Sequence, residues 1–188
     1  QVVVIGPDGS SRKLIPFKEA AFNVSEQVVA VELRADGSAL VDYTNNPFGS
    51  YDNRARSIFA NGLEQNQETM RRMATSFFGG FDGELEIHLP LQESLSVTPS
   101  FGFSGNFTKW AAADSGVIEL DASFFQDNMF NQYASLAERD SDVVLQHAYT
   151  KKRMYRIALP PGYGAELLDA VNLSNAAGSY SWNMSIED

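Results

Sequence analysis

Hydrophobic positions recur with a helical period in one long stretch of the chain, residues 49–80. Tyr51, Ala55, Ile58, Phe59, Leu63, Met70, Met73, Ala74 and Phe77 fall at spacings of three and four, which places them on one side of a helix. Arg54, Arg56, Glu64, Gln67, Glu68, Arg71 and Arg72 supply most of the other side. A single helix over about 50–78 would run roughly 43 Å at 1.5 Å per residue. Asn61-Gly62 interrupts it, so the pattern predicts a kink or two helices, about 51–60 and 63–78, closed by Gly79-Gly80. The periodicity predicts Ile58, Phe59, Leu63, Met70, Met73 and Phe77 buried against a sheet, and Arg54, Glu64, Glu68 and Arg72 exposed.

Elsewhere the pattern is one of strands and turns. Residues 2–5 and 13–17 are apolar-rich runs joined across 6–10 and read as a hairpin. In 26–34, Val29, Val31 and Leu33 alternate with Ala30, Glu32 and Arg34. Asp36-Gly37 then turns the chain into a second strand over 38–44. In 84–89, Leu85, Ile87 and Leu89 face one way and Glu84, Glu86 and His88 the other, until Pro90 ends the run. Further short strands are predicted over 94–98, 100–103, 107–111, 117–120, 143–147, 154–159 and 179–186, with Tyr180, Trp182 and Met184 sharing a face of the last. Residues 122–136 read as an ordered loop with room for a short helix, and 165–173 as short and mixed. About nine or ten short strands separated by Gly, Pro and Asp turns indicate a mainly β fold, an antiparallel β-sandwich with one long or kinked amphipathic helix packed on a sheet. The chain of 188 residues reads as a single β-rich domain, with a candidate sub-boundary at Phe81-Asp82-Gly83.

Charge and composition narrow the partners. The formal net charge of −10 argues against nucleic acid and anionic membranes. No run approaches the 18 or so apolar residues of a membrane span. Cysteine is absent, which removes disulfides, thiolate metal sites and a cysteine nucleophile together.

Few residues are placed for chemistry. Gly102-Phe103-Ser104-Gly105-Asn106 resembles a nucleophile elbow but has Asn106 where that motif needs glycine, in β-rich sequence. His88 and His147 sit in predicted strands without metal-ligand spacing. Glu84 and Glu86 share a strand face. Asp140 and Asp142, beside Arg139, lack the remainder of a calcium loop. The sequons at Asn23, Asn106, Asn172 and Asn183 are short matches. No catalytic, cofactor-binding or metal-binding residue is assigned. Trp110, Tyr180 and Trp182 are the candidate ligand-binding aromatics, with core packing as the competing explanation.

The ordered features carry a family resemblance. Leu14-Ile15-Pro16 precedes Asn23, the hairpin turning at Asp36-Gly37, and Gly49 and Arg54 at the start of the helix. Later come Arg139, the strand over 143–145, Tyr155 to Tyr163 ending in Leu159-Pro160-Pro161-Gly162-Tyr163, and Gly178-Ser179-Tyr180. In this order, over nearly the whole chain, they resemble the C-terminal β-rich region of bacterial proteins with a transglutaminase-like, papain-fold core, flanked by domains of unknown function. Asp169 departs from the pattern, standing near where that family often has proline. The resemblance implies that the family's catalytic Cys, His and Asp lie before Gln1. The chain would then be a non-catalytic accessory β-sandwich domain without cofactor, periplasmic or secreted, serving scaffolding or protein docking. Its partner would be the transglutaminase-like core of the same protein, or another protein. The alternative is a secreted carbohydrate- or protein-binding module using exposed aromatics.

Overall fold

A computed structural model describes residues 2–7, 9–13, 18–89, 97–121 and 147–187. Residues 14–17, most of 94–98, the loop at 122–136, Arg139, Asp140, Asp142 and the strand at 143–146 lie outside the described residues. The chain forms two compact units, Gln1–Ala158 and Leu159–Asp188. The division therefore falls after Ala158, not at Phe81-Asp82-Gly83, which opens a strand of the main sheet.

The first unit holds β1 (Val2–Gly6), β2 (Gly9–Lys13), β3 (Val24–Leu33), β4 (Ala39–Pro47), α1 (Ser50–Ile58), α2 (Leu63–Phe78), β5 (Phe81–His88), β6 (Phe101–Phe107), β7 (Ala112–Asp114), β8 (Val117–Glu119) and β9 (Thr150–Ala158). The fold is mainly β, as its alternating pattern dictates. β1 and β2 form a separate hairpin meeting at Gly6 and Gly9, a tighter turn than the 6–10 loop that the sequence suggests. β7 and β8 form another, turning at Ser115 and Gly116 with φ of 50° and 82°. Positive φ at both turn residues matches the twist of paired strands.

The main sheet has five strands in the order β5-β6-β4-β3-β9. The expectation of a wholly antiparallel arrangement is corrected: β9 runs parallel to β3, Val24 opposite Thr150 and Glu32 opposite Ala158. A parallel neighbour needs a long crossover, and the chain between β6 and β9 is long enough to supply one. Among the described residues, the layer over the sheet's apolar face is formed by the helices. Val29, Val31 and Leu33 of β3 stand beside Tyr43, Val41 and Ala39 of β4, and these beside Phe103, Gly105 and Phe107 of β6. All but Gly105 belong to the buried core, and Tyr155, Ile157, Ile87 and Phe81 pack at its margins.

The sequence reads separate strands over 100–103 and 107–111, where the structure has one continuous strand, β6, containing Gly102 and Gly105. Both glycines serve close approach. A Cβ on Gly102 would strike the Tyr43 carbonyl, and one on Gly105 would occupy the place of the Leu85 side chain. Leu85 reaches that spot because β5 bulges between Asp82 and Glu86.

The helices separate at Phe59, as the Asn61-Gly62 signal predicts. α1 packs on β3 and β4, and α2 on β5 and β6. The buried stripe differs from the expected one. Phe59 and Met70 are fully buried and Met73 is half-buried, but Ile58, Leu63 and Phe77 are 38%, 67% and 41% exposed. The inward positions of α2 are Asn66, Met70, Ala74 and Phe78, four residues apart. Ala74 belongs to the expected stripe, but a polar Asn66 does not register in a hydrophobic wheel, and the break at Phe59 resets the phase between helices. Asn66 faces inward because its amide holds the turn between the helices. Its Nδ2 donates to the carbonyls of Phe59 and Asn61, both at 2.9 Å. Arg54, Glu64, Glu68 and Arg72 are exposed, as expected.

The second unit contains one hairpin, β10 (Val171–Asn175) paired with β11 (Gly178–Trp182). Asn175 Oδ1 accepts from the amides of Ala177 and Gly178 at 2.8 and 3.1 Å and so closes its turn.

Candidate functional site

Strand alternation gives the main sheet a second face that, among the described elements, the helices do not cover. It carries Glu26, Val28, Ala30 and Glu32 of β3, Leu40, Asp42 and Thr44 of β4, Ser104 and Asn106 of β6, Asp82, Glu86 and His88 of β5, and Lys152, Met154 and Arg156 of β9. Several sequence candidates meet here. Ser104 lies between Asp42 and Glu86, and His88 follows Glu86 on the same face. His88 Nε2 is 4.0 Å from Glu86 Oε1, with side chains 57% and 75% exposed. A base that activates a hydroxyl is held within hydrogen-bond reach of it and oriented by a third group. An exposed contact of this length on a flat face has neither property.

The helix-covered face turns polar toward the start of β3. Ser25 Oγ donates to Asn45 Oδ1 at 3.1 Å, and Arg153 Nε to Gln27 Oε1 at 2.8 Å. Tyr43 and Tyr155 border this patch. Burial pushes both phenols above the ordinary tyrosine range, most strongly for Tyr43, and the nearby Arg153 charge opposes the shift in each. A phenol raised in the folded state stays protonated where the unfolded chain has ionised. Stability is therefore constant below the unfolded value of about 10 and falls as pH rises above it. Tyrosinate absorbance in an alkaline titration is expected to develop in two stages, with the Tyr43 and Tyr155 share appearing only as the fold is lost. Full tyrosinate absorbance while the circular dichroism is still native would contradict their burial.

At the same end of the fold Tyr51, His147 and Tyr149 form a triangle of rings with centroids 6.0–6.4 Å apart, and Lys151 stands over Tyr149. In sequence His147 reads as an ordinary strand residue, and nothing joins it to the two tyrosines. Residues 51 and 149 are far apart in the chain, so no spacing could have signalled the cluster.

The aromatic candidates divide. Trp110 is 1% exposed and belongs to the core of the first unit. It is held there because the loop after β6 returns to the β3–β4 turn, Ala111 N donating to Gly37 O at 2.9 Å. Trp110 therefore cannot serve as an exposed platform. Tyr180 and Trp182 share one face of β11, as the alternation predicts. Their cross-strand neighbours are Leu173 and Val171, with Leu173 63% and Tyr180 50% exposed. The opposite face carries Asn172 beside Ser181 and Ser174 beside Ser179. The hairpin is thus divided between an apolar and a polar face, and the apolar one is the candidate site.

The Asn23 sequon is occupied internally, since its side chain is buried and hydrogen-bonded at both ends. Among the described residues no group of three or more His, Asp or Glu could hold a metal ion, and no helix is long and apolar enough to cross a membrane. No family model, curated protein or solved structure matches this chain.

Proposed function

We propose that this chain is a non-catalytic protein-docking domain whose contact element is the apolar face of the β10–β11 hairpin. The observation that carries the reading is the two-faced composition of that hairpin: Val171, Leu173, Tyr180 and Trp182 on one side, only Asn and Ser paired on the other. An isolated two-stranded hairpin is marginal in water, and covering such a face stabilises it. The family resemblance supplies the partner, the transglutaminase-like core of the same periplasmic or secreted bacterial protein, for which the domain is an accessory scaffold. The β-sandwich architecture, read from the number and spacing of the short strands, is proposed as part of the same reading.

A sugar-binding role is less well supported. With Trp110 in the core, the platform shrinks to Tyr180 and Trp182, and the residues beside them are aliphatic. Sugar hydroxyls need donors and acceptors around the stacked ring, and here the polar residues point the other way.

The chain has 2 tryptophans, and only Trp182 can report on this face. Titration with the transglutaminase-like segment encoded upstream of Gln1 is expected to change its fluorescence. Leu173→Asp or Tyr180→Asp should weaken binding by about 30-fold, the effect of a lost interface anchor of about 2 kcal/mol. Cell-wall glycans should leave the signal unchanged. A gene with no Cys-bearing transglutaminase-like segment upstream, or binding untouched by both substitutions, would sink the proposal.

A further inference from the structure

Asn61-Gly62 is the only Asn-Gly pair in the chain. It lies in the short connection between α1 and α2, and both residues are exposed. The backbone does not need glycine there. Gly62 has φ −66° and ψ 161°, an extended conformation open to any residue, and a Cβ built on it would meet nothing within 4 Å. It is the N-cap of α2, where a Ser, Thr, Asp or Asn side chain would bond the first turn and glycine cannot. What glycine does supply is a backbone nitrogen with no side chain beside it. Among the described residues its N–H makes no backbone hydrogen bond.

We propose that Asn61 is a modification site, at which the chain reacts with itself and then with water to give aspartyl and isoaspartyl products. The Gly62 nitrogen, its proton lost to base, attacks Asn61 Cγ. The new N–Cγ bond closes a succinimide ring, the Cγ–Nδ2 bond breaks, and the amide leaves as ammonia. Water then opens the ring. Attack at Cγ restores the ordinary backbone with a carboxylate in place of the amide. Attack at the main-chain carbonyl carbon leaves the chain running through Cβ and Cγ, which is the isoaspartyl form. Nothing is oxidised or reduced, and water is the only co-reactant.

The other described asparagines are each held back. Asn23, Asn45 and Asn66 are buried. Asn46 precedes Pro47, which has no N–H to lose. Asn53 lies inside α1, where the backbone is fixed. Asn106 Oδ1 accepts from Arg34, and Asn175 Oδ1 from the amides of Ala177 and Gly178. Asn172 and Asn183 precede Leu173 and Met184, whose side chains crowd the nitrogen. Asp36-Gly37 could close the same ring, but Gly37 N donates to Arg34 O and Asp36 Oδ1 accepts from Ser38 N, both at 3.0 Å. Asn61 is held only by an exposed bond from its Nδ2 to Ile58 O at 3.2 Å. The isoaspartyl form adds a backbone atom where two bonds fix the joint: Asn66 Nδ2 donates to Asn61 O at 2.9 Å and Asn66 N to Gly62 O at 3.0 Å. With the same Nδ2 tied to Phe59 O, the longer chain strains both and loosens the first turn of α2. The competing explanation is that the Ile58 bond pins the amide away from Gly62. It predicts an amide as durable as the others.

The test is incubation of the folded 188-residue chain in mildly alkaline buffer, followed by mass spectrometry of its peptides. A protease that cuts at aspartyl but not isoaspartyl bonds separates the two products. Conversion should concentrate at Asn61, with Asn172 and Asn183 as references in the same chain. Gly62→Ala should fold as wild type, because the added methyl meets open space. It should slow the conversion about tenfold, because that methyl crowds the attacking nitrogen. In purified isoaspartyl material, amide exchange should be faster at Asn66 and unchanged at Phe103. Equal survival of the Asn61 and Asn172 amides overturns the proposal, and so does an unaltered rate in Gly62→Ala. Wild-type protection of Asn66 in the isoaspartyl material overturns the loosening of the joint.

Discussion

Replacing Phe78 by alanine is expected to cost about 3–5 kcal/mol of stability, and replacing its neighbour Phe77 only about 1 kcal/mol. Phe78 is 4% exposed, with ring centroids 5.9 Å from Phe103, 5.7 Å from Phe107 and 6.2 Å from Tyr43. Removing it opens a cavity between α2 and the strands that backbone-paired residues cannot close. Phe77 is 41% exposed and meets Tyr43 edge-on at 5.7 Å. Its truncation loses one aromatic contact and leaves space that water can fill. The measurement is denaturant unfolding of both variants, comparing midpoints at constant slope. Equal losses, or a larger one at Phe77, would mean that α2 sits about 100° from the orientation described, one residue around its axis.

That pair of residues also shows where sequence reading stops. A hydrophobic wheel counts Phe77 and Phe78 alike, and spacing from Met70 and Met73 favours Phe77. The structure chooses Phe78 because Asn66 and Ala74 define the inward line, one by tying the turn and the other by letting the helix approach the sheet. Neither property is a hydrophobicity. Where burial alone sets the pattern, the sequence is transparent. Val29, Val31 and Leu33 alternate because one face of β3 is in water, and a one-residue slip would reverse every side chain. Tyr180 and Trp182 were legible as neighbours on one face because residues two apart in a strand point the same way, although that face is exposed.

Pairing between distant segments was not legible. Lys152 bonds Glu26 across 126 residues, and no local signal announces that β9 lies beside β3. Trp110 illustrates the converse: a tryptophan in a loop reads equally well as platform or core, and only the contact of Ala111 with Gly37 decides.

The second large effect is expected where three segments meet at Asn23. This residue is 6% exposed. Its Nδ2 donates to Ala148 O at 2.8 Å and its Oδ1 accepts from Ser50 N at 3.0 Å. Its backbone carbonyl accepts from Thr150 N at 2.9 Å. One side chain thus caps α1 from 27 positions away and fixes the approach to β9. The local cap position belongs to Gly49, which has no side chain to offer and sits at φ 62°, ψ −121°. That conformation is accessible to glycine and strained for other residues. A Cβ there would also overlap the Phe22 carbonyl and lie 2.7 Å from Asn23 Oδ1. Gly49→Ala therefore combines backbone strain with a clash against two fixed oxygens, and should cost about 3 kcal/mol or more. Asn23→Ala loses the cap and strands a buried donor and acceptor, for about 2–4 kcal/mol. Asn23→Asp keeps the acceptor toward Ser50 N, where the helix dipole favours it, but turns an oxygen toward Ala148 O; it should fall between wild type and alanine. In the double variant the Asn23 oxygen is gone, so the two losses should sum to less than their separate values. Amide exchange gives the discriminating readout. Asn23→Ala should speed exchange at Ser50, whose acceptor is lost, well before it affects Phe103 in the sheet centre. Unchanged protection at Ser50, or strict additivity of the two substitutions, would show that α1 is anchored by something other than this joint.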